Sequence, residues 1–160
     1  LSYVPQSIYL LDGTIEQKGF FSRTKSTIAL PPRIVNKLKK VIQRSNYYEA
    51  FELFFPTKFE RFVMATYDST QSLKIHNDVS QNAKGDSVYD RKISMLILLD
   101  DNYEGGEWFM HDVGLDDPFL ITLQPGDGLL FPSFYNHSMN PITSGQRKAF
   151  TTWVTGPRWQ

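Results

Sequence analysis

The sequence predicts a mainly β fold of the α+β class, with helical support at the N-terminus. Three observations predict it: one amphipathic helix pattern at about residues 31–45, a series of short strand-like runs from Ala50 onward, and turn residues between these runs about every ten positions. Many short strands with regular turns are typical of a sandwich, barrel or jelly roll, and not of a parallel sheet that alternates with helices.

The helix pattern begins at Leu30-Pro31-Pro32, where proline suits a first turn. It continues through IVNKLKKVIQRS, in which the apolar residues fall on one stripe: Ile34, Val35, Leu38, Val41 and Ile42. We therefore expect this stripe to pack against a sheet.

The strand-like runs are rich in β-branched and aromatic residues. In chain order they are AFELFF, RFVMATY, LKIHNDV, KISMLILL, GEWFMH, FLITLQ, GLLFP, HSMNPI and KAFTTWV. Turns are predicted at DDNYEGG, QPGDG and TSGQ, because Gly, Pro, Asn and Asp favour turn conformations. The polar segment 80–90 has no apolar periodicity and predicts a mobile loop beside LKIHNDV.

Composition limits the function classes. A length of 160 residues predicts a single domain, 1–160, with N-terminal support in 1–60 and a strand-rich core in 61–155. Basic and acidic residues number 17 each, which argues against a nucleic-acid or membrane-surface partner. The absence of cysteine excludes disulfides and thiolate ligands and fits a reducing compartment. We see no signal or membrane-spanning segment, although the chain lacks an initiator Met, and expect an intracellular monomer or weak dimer.

The tripeptide His76-Asn77-Asp78 lies in a strand-like run. Residues i and i+2 of a strand share a face, so an imidazole and a carboxylate would project side by side and could bind one metal ion. Two histidines and one carboxylate on one face of an octahedral ion are typical of non-haem iron(II) oxygenases. His111 and His137 are the candidates for the third ligand, and a surface turn without metal is the alternative for the tripeptide.

His137 is favoured because it starts one of three consecutive strand-like runs, with Arg147 ten residues later. An arginine within a strand is expected to be partly buried and to need an anionic partner. A dicarboxylate such as 2-oxoglutarate would satisfy it through two parallel hydrogen bonds. The alternative is an ordinary ion pair with Asp127 or Glu107.

The order His-x-Asp, His, Arg on successive strands resembles the iron(II)- and 2-oxoglutarate-dependent dioxygenases, particularly the prolyl 4-hydroxylase-like branch. The resemblance extends from about Arg61 to Trp153. It rests on Tyr67, His76-Asn77-Asp78, Arg91, NYEGGEWFM, LQPGDGLLFPS, His137 followed by Pro141, and Arg147 followed by Trp153. It implies a double-stranded β-helix, also called a jelly roll or cupin-like fold.

The resemblance also implies roles for single residues. His76, Asp78 and His137 would hold the iron, Arg147 would anchor 2-oxoglutarate, and Tyr67 would add a hydrogen bond to it. Further pocket residues beside the metal would be Thr151 and Trp153, and Arg91 would lie near a peptide groove. For Tyr67 and Trp153 the alternative is core packing, and for Arg91 it is a solvated side chain.

Two departures from the family pattern matter. Leu98 stands where some relatives place a second co-substrate tyrosine, so Tyr67 would serve alone. The chain is also short on both sides of the matching region, so we expect loops around the metal to recognise the substrate. The glycines of DDNYEGGEW are interpreted as structural and not as a phosphate-binding loop.

The resemblance implies Fe(II), 2-oxoglutarate and O2 as cofactor and co-substrates, with ascorbate as a candidate additional ligand. The expected reaction is hydroxylation of an unactivated C–H bond, with a prolyl residue of a protein or peptide as the leading substrate, and release of succinate and CO2. Two alternatives remain: the same chemistry on another side chain or a small metabolite, and a non-enzymatic jelly-roll protein with a structural zinc.

Overall fold

The computed structural model describes residues 7–9, 14–17, 23–45, 47–51, 53, 57–79, 89–111 and 118–159. Two helices and thirteen strands lie within these ranges. In chain order they are β1 (Ser7–Tyr9), β2 (Thr14–Gln17), β3 (Arg23–Thr27), α1 (Pro32–Arg44), α2 (Tyr47–Ala50), β4 (Val63–Tyr67), β5 (Leu73–His76), β6 (Tyr89–Leu98), β7 (Tyr103–Gly105), β8 (Trp108–Met110), β9 (Phe119–Ile121), β10 (Gly128–Pro132), β11 (His137–Met139), β12 (Ile142–Gly145) and β13 (Arg147–Pro157).

Two main sheets organise the fold. The larger has the strand order β1-β2-β3-β4-β13-β6-β10 and the smaller has the order β5-β11-β8-β9, with every pairing antiparallel. Residues from both sheets form one apolar cluster, which includes Tyr67 of the larger sheet and Trp108 and Met139 of the smaller. The core therefore lies between the two sheets, as in other two-sheet β folds.

The outer face of the larger sheet is covered by the helical region. Ile42 of α1 is fully buried and forms a second cluster with Ile93, Met95 and Val154. Because successive residues of a strand point to opposite faces, Ser94 and Leu96 point the other way, towards the smaller sheet. Strand β6 is buried on both faces along most of its length, which explains the apolar character of its second half, ISMLIL. The predicted helix is confirmed, and Leu38 and Ile42 of its apolar stripe pack in this cluster, but Val41 of the same stripe is 49% exposed.

The N-terminal part also contributes strands, which the sequence reasoning missed. Strands β1 to β3 precede the helix and extend the larger sheet beyond β4. Their sequences, SIY, TIEQ and RTKST, are short or polar and show little alternation. Their strand conformation depends on pairing with distant residues such as Thr66, which no local pattern reports.

Two local predictions were wrong. The start of the predicted strand AFELFF lies in α2 and the turn after it, because a short apolar run has the same composition in a buried helix and in a strand. The predicted turns DDNYEGG and TSGQ contain β7 and β12, which pair with each other in a two-stranded ribbon. Glycine in a strand often marks a bulge, and the register of this ribbon shifts between Ile142 and Ser144.

Of the predicted loop at 80–90, residues 80–88 lie outside the described residues. Within the described ranges, the helices are too short or too polar to cross a bilayer.

Candidate metal centre and adjoining cavities

Two adjacent strands of the smaller sheet bring together His76 and His137. His76 ends β5, His137 begins β11, and the two residues are direct partners in the antiparallel register. Their rings lie 4.2 Å apart between centroids. The two imidazoles are therefore placed side by side by backbone pairing.

Each ring is oriented by a hydrogen bond from its own strand region. The Nδ1 atom of His76 lies 2.7 Å from the carbonyl oxygen of Lys74, and Nδ1 of His137 lies 3.1 Å from that of Tyr135. A carbonyl only accepts, so Nδ1 of each ring carries the proton and donates. Nε2 of a neutral ring then keeps its lone pair, the state that a metal ligand requires.

Asp78 follows the end of β5 by two residues, so it does not continue the strand as the sequence reasoning assumed. Its backbone N–H donates to the carbonyl of Ser133 at 2.9 Å, which brings the turn against the residues before β11. One carboxylate oxygen lies 3.9 Å from Nε2 of His76 and the other 3.9 Å from Nε2 of His137. The carboxylate therefore faces both imidazoles.

Burial alone would raise the pKa of Asp78, since it disfavours the charged form. The nearby His137 and His76, together with hydrogen bonds donated by Ser94 and Trp153, outweigh this and lower the pKa to about 2. The Ser94 hydroxyl donates to the carboxylate at 2.5 Å. Asp78 is thus ionised at neutral pH although only 6% of it is exposed.

One ligand atom from each of the three residues lies within 4.8 Å of the other two. The distances of 3.9 Å are too long for hydrogen bonds, so direct bonding between these groups does not account for their approach. Two imidazole nitrogens and one carboxylate oxygen are the donors that suit iron(II), and also zinc. The arrangement can hold one divalent ion.

A small cavity of about 30 Å³ adjoins the cluster. Its lining includes the three residues above and also Tyr67, Thr151 and Trp153, which the resemblance had placed beside the metal. Six of the seven predicted site residues therefore meet at one place. We refer to it as the metal-side cavity.

Arg147, the seventh, lines a neighbouring cavity of about 180 Å³, here called the arginine-side cavity. Arg147 begins β13 opposite Tyr67 of β4, and only 2% of it is exposed. Its Nε and Nη1 atoms have no hydrogen-bond partner among the described residues. In that part of the chain the carboxylate of Asp127 accepts from the Gln124 backbone and that of Glu107 from Asn140, and neither is paired with Arg147.

Arg91 is buried, contrary to the alternative of a solvated side chain. It is 3% exposed, forms an ion pair with Glu60, and its guanidinium lies 3.8 Å from the centre of the Trp153 ring. Because Trp153 donates to Asp78, Arg91 and Glu60 support the ring that positions this carboxylate.

Two residues at the site were missed. Ser94 is the one hydroxyl in the apolar run KISMLILL, and that contrast was the available signal. Trp108 lines both cavities and was noted only as part of NYEGGEWFM. His111, which the sequence reasoning set aside, lies outside the cluster and its Nε2 is 2.8 Å from the Ser138 hydroxyl.

Comparison with protein families agrees with this geometry. Residues 62–155 match the family model of the 2OG-Fe(II) oxygenase superfamily, where 2OG is 2-oxoglutarate. The chain belongs to this superfamily. The predicted family is therefore confirmed, and the match includes all seven predicted site residues.

Curated relatives within the superfamily are PKHD-type hydroxylases. The protein of Colwellia psychrerythraea is 37% identical over 65 residues, which are 41% of this chain and 28% of that protein. The protein of Hyphomonas neptunium is 26% identical over 141 residues, which are 87% of this chain and 58% of that protein. The chain thus spans between about a quarter and three fifths of the length of these relatives.

Solved structures of prolyl hydroxylases share the fold. A prolyl-4-hydroxylase of Pseudomonas putida superposes with a TM-score of 0.66 at 16% identity, covering 88% of this chain and 76% of that one. A prolyl hydroxylase of Trichoplax adhaerens, in complex with a hypoxia inducible factor peptide fragment, gives 0.63 at 19% identity, covering 82% and 62%. The predicted double-stranded β-helix, or jelly roll, is confirmed.

Proposed function

We propose that this chain is an iron(II)- and 2-oxoglutarate-dependent dioxygenase whose metal ligands are His76, Asp78 and His137. The observation that carries the proposal is the pairing of this three-residue cluster with a buried arginine that has unpartnered donor atoms nearby. A structural zinc site would explain the cluster but would give Arg147 no anion.

When bound, iron(II) would supply the activation of O2, coupling conversion of 2-oxoglutarate to succinate and CO2 with hydroxylation of a C–H bond. The residues of this chain prepare the site. The carbonyls of Lys74 and Tyr135 fix the two imidazoles with Nε2 as acceptor, and Ser94 and Trp153 hold Asp78 as a carboxylate. The ligand set is therefore oriented before the metal binds, and Asp78 is already ionised.

Arg147 would bind the distal carboxylate of 2-oxoglutarate, as a buried guanidinium suits a carboxylate with two parallel N–H donors. Tyr67, its register partner, would donate to the same co-substrate. This is supported by the position of Tyr67, which lines the metal-side cavity and whose ring centre is 5.8 Å from the guanidinium carbon of Arg147. Thr151 and Trp153 would complete the wall beside the metal.

For the substrate we propose a prolyl residue of a protein or peptide. Support comes from the solved structures, which are named as prolyl hydroxylases and one of which was determined with a peptide fragment. Hydroxylation of another side chain or of a small metabolite is the alternative within the same chemistry. Mass spectrometry of peptide pools after turnover, with fragmentation to locate any added oxygen, distinguishes these substrates.

The division into N-terminal support (1–60) and core (61–155), the use of ascorbate, the monomer or weak dimer and the intracellular location stay predictions. Closure of the loop at 80–90 over the site is also a prediction, and protection from limited proteolysis by 2-oxoglutarate would test it.

The test of the proposed function is anaerobic titration of the protein with iron(II) and 2-oxoglutarate. We expect the weak violet absorption band of an iron-bound 2-oxo acid, followed by consumption of 2-oxoglutarate when air is admitted. A protein that binds zinc in preference to iron and gives no band would contradict the proposal.

A further inference from the structure

The side chain of Trp108 has one hydrogen-bond donor, the indole N–H, and this donor has no partner among the described residues. Only 3% of the side chain is exposed. Buried polar groups are normally hydrogen-bonded, so an unpartnered one at a cavity indicates a missing acceptor.

The indole ring is held in place by strand pairing of its backbone and by contacts with two aromatic rings. Trp108 pairs with Met139 of β11 and Ile121 of β9 in the smaller sheet. Its ring stacks on the metal-cluster residue His137 at 5.2 Å and meets Phe131 edge-on at 5.5 Å. The donor cannot easily turn away to find water, because the stacking fixes the ring.

Trp108 also lies where the two cavities meet. It lines the metal-side cavity with His76 and His137, and it lines the arginine-side cavity with Arg147. Trp108 is the one described residue that the two linings share, so we expect a molecule that contacts both the cluster and Arg147 to lie beside the indole.

The unpartnered donors around this point share one chemistry. Trp108 Nε1 and the Nε and Nη1 atoms of Arg147 can only donate. The ligand that satisfies them must bring at least two acceptor oxygens and a negative charge, which a carboxylate does. The nearby carboxylate of Glu107 is exposed and already accepts a hydrogen bond from Asn140.

We infer that the Trp108 indole N–H donates a hydrogen bond to the distal carboxylate of 2-oxoglutarate, beside Arg147. The inference rests on the proposed function. It assigns to Trp108 a co-substrate-binding role for which the sequence predicted Tyr67 alone beside Arg147, since Leu98 provides no hydroxyl.

The test compares Trp108→Phe with the wild-type protein, both loaded with zinc(II) so that no turnover occurs. Calorimetric titration uses 2-oxoglutarate and 2-oxopentanoate, which has the same chain length but lacks the distal carboxylate. We expect the substitution to weaken 2-oxoglutarate binding about tenfold or more, as for a lost hydrogen bond to a charged group, and to leave 2-oxopentanoate binding within about twofold.

Trp159→Phe is the matched control. It also removes one indole N–H, which donates to the Arg91 carbonyl at 3.3 Å, but Trp159 lines neither cavity. Equal weakening of both ligands by Trp108→Phe would assign the residue to packing and overturn the inference, as would unchanged 2-oxoglutarate binding. Absence of 2-oxoglutarate binding in the wild-type protein would instead overturn the proposed function, and this inference with it.

A second measurement needs no substitution at Trp108. The chain has three tryptophans, so the wild-type zinc protein has three indole N–H signals in a ¹H–¹⁵N spectrum, and Trp153→Phe and Trp159→Phe assign the third by elimination. We expect the Trp108 signal to move downfield with 2-oxoglutarate and not with 2-oxopentanoate. The same response to both ligands would contradict a hydrogen bond to the distal carboxylate.

Discussion

The two cavities that meet at Trp108 differ in how the protein satisfies their polar atoms. On the metal side, the Nδ1 atoms of His76 and His137 donate to backbone carbonyls, and Asp78 accepts from Ser94 and Trp153. On the arginine side, donors of Arg147 and Trp108 have no partner among the described residues. One cavity is organised by the protein alone, whereas the other is incomplete without an anion.

The difference follows from the requirements of a cation site and of an anion site. A cation site needs ligands that are deprotonated and oriented before the ion arrives, and neighbouring side chains can provide that. An anion site within a core must keep its charge unpaired, which reduces the stability of the unliganded protein. Substitutions in the metal-side cavity and in the arginine-side cavity should therefore have separate effects.

The largest effect is expected from removing a member of the cluster. His137→Ala leaves one imidazole and one carboxylate, and we expect iron(II) affinity to fall by about 100-fold or more, together with loss of 2-oxoglutarate turnover. Metal binding is measured by competition with a chromogenic chelator. His111→Ala is the control, because His111 lies outside the cluster, and it should retain wild-type affinity. Equal losses in both variants would contradict the assignment.

In the arginine-side cavity, substitution of Arg147 should weaken the binding of 2-oxoglutarate without weakening the unliganded fold. Arg147→Met removes the charge and keeps an unbranched side chain, so we expect 2-oxoglutarate affinity to fall by about 10- to 100-fold. The free energy of unfolding without ligand should stay the same or rise by about 1 kcal/mol, since the lost donors had no partner. Calorimetric titration and urea denaturation measure the two quantities.

Lys148→Met is the matched control for Arg147→Met. Lys148 is the next residue of β13, but its side chain is exposed and paired with Asp100. Its substitution should change neither quantity appreciably. A destabilisation of Arg147→Met by about 3 kcal/mol would show instead that Arg147 has a structural partner.

Gly106 lines the arginine-side cavity. Gly106 has a φ of +68°, and a Cβ atom there would lie 2.5 Å from Cδ1 of Ile142 and 3.6 Å from Cδ of Arg147. We expect Gly106→Ala to lower the free energy of unfolding by about 3 kcal/mol, the sum of backbone strain and crowding.

The control for Gly106→Ala is Gly126→Ala. Gly126 also has a positive φ, +92°, but a Cβ there would meet nothing within 4 Å. In this variant the free energy of unfolding should fall by about 1 kcal/mol, the cost of a left-handed backbone conformation alone. Urea denaturation measures both, and equal losses would mean that a Cβ atom at position 106 does not crowd Ile142.

Which of these features the sequence predicts depends on whether they are local. His76 and Asp78 are two residues apart and the α1 stripe repeats within three turns, so a short window identifies both. The placement of His137 and Arg147 relative to them depends on strand pairing, and the family resemblance supplied it. Strands β1 to β3 lie outside the region of resemblance, and the pairing of these strands and of the β7–β12 ribbon with distant residues left no local pattern.

The unpartnered state of Trp108 and Arg147 is still less visible in a sequence, because it is the absence of an acceptor in three dimensions. The sequence indicates that Arg147 needs an anion, but it offers an ion pair with Asp127 or Glu107 as the alternative to a co-substrate. Only the positions of those carboxylates, each bonded elsewhere, distinguish the possibilities.

The smallest effect concerns the acid stability of the metal side. The folded pKa of Asp78, about 2, lies below its ordinary value of 3.8, so the ionised carboxylate stabilises the fold at pH values above 3.8. This contribution, about 2 kcal/mol, should be lost as the pH falls from 5 to 2. The difference in unfolding free energy between the metal-free wild-type protein and Asp78→Asn, followed across this range, isolates it from other carboxyl groups.

Ser94→Ala separates the hydrogen bond from the histidine charges. Without the hydroxyl donor the pKa of Asp78 should rise towards 3.8, so the loss should start at the same pH, be complete at a higher pH and be smaller by about 1 kcal/mol. Ser138→Ala, which removes a hydroxyl bonded to His111, should leave the wild-type profile unchanged. If Ser94→Ala also keeps that profile, the two imidazoles and the Trp153 donor hold Asp78 ionised without the Ser94 hydroxyl.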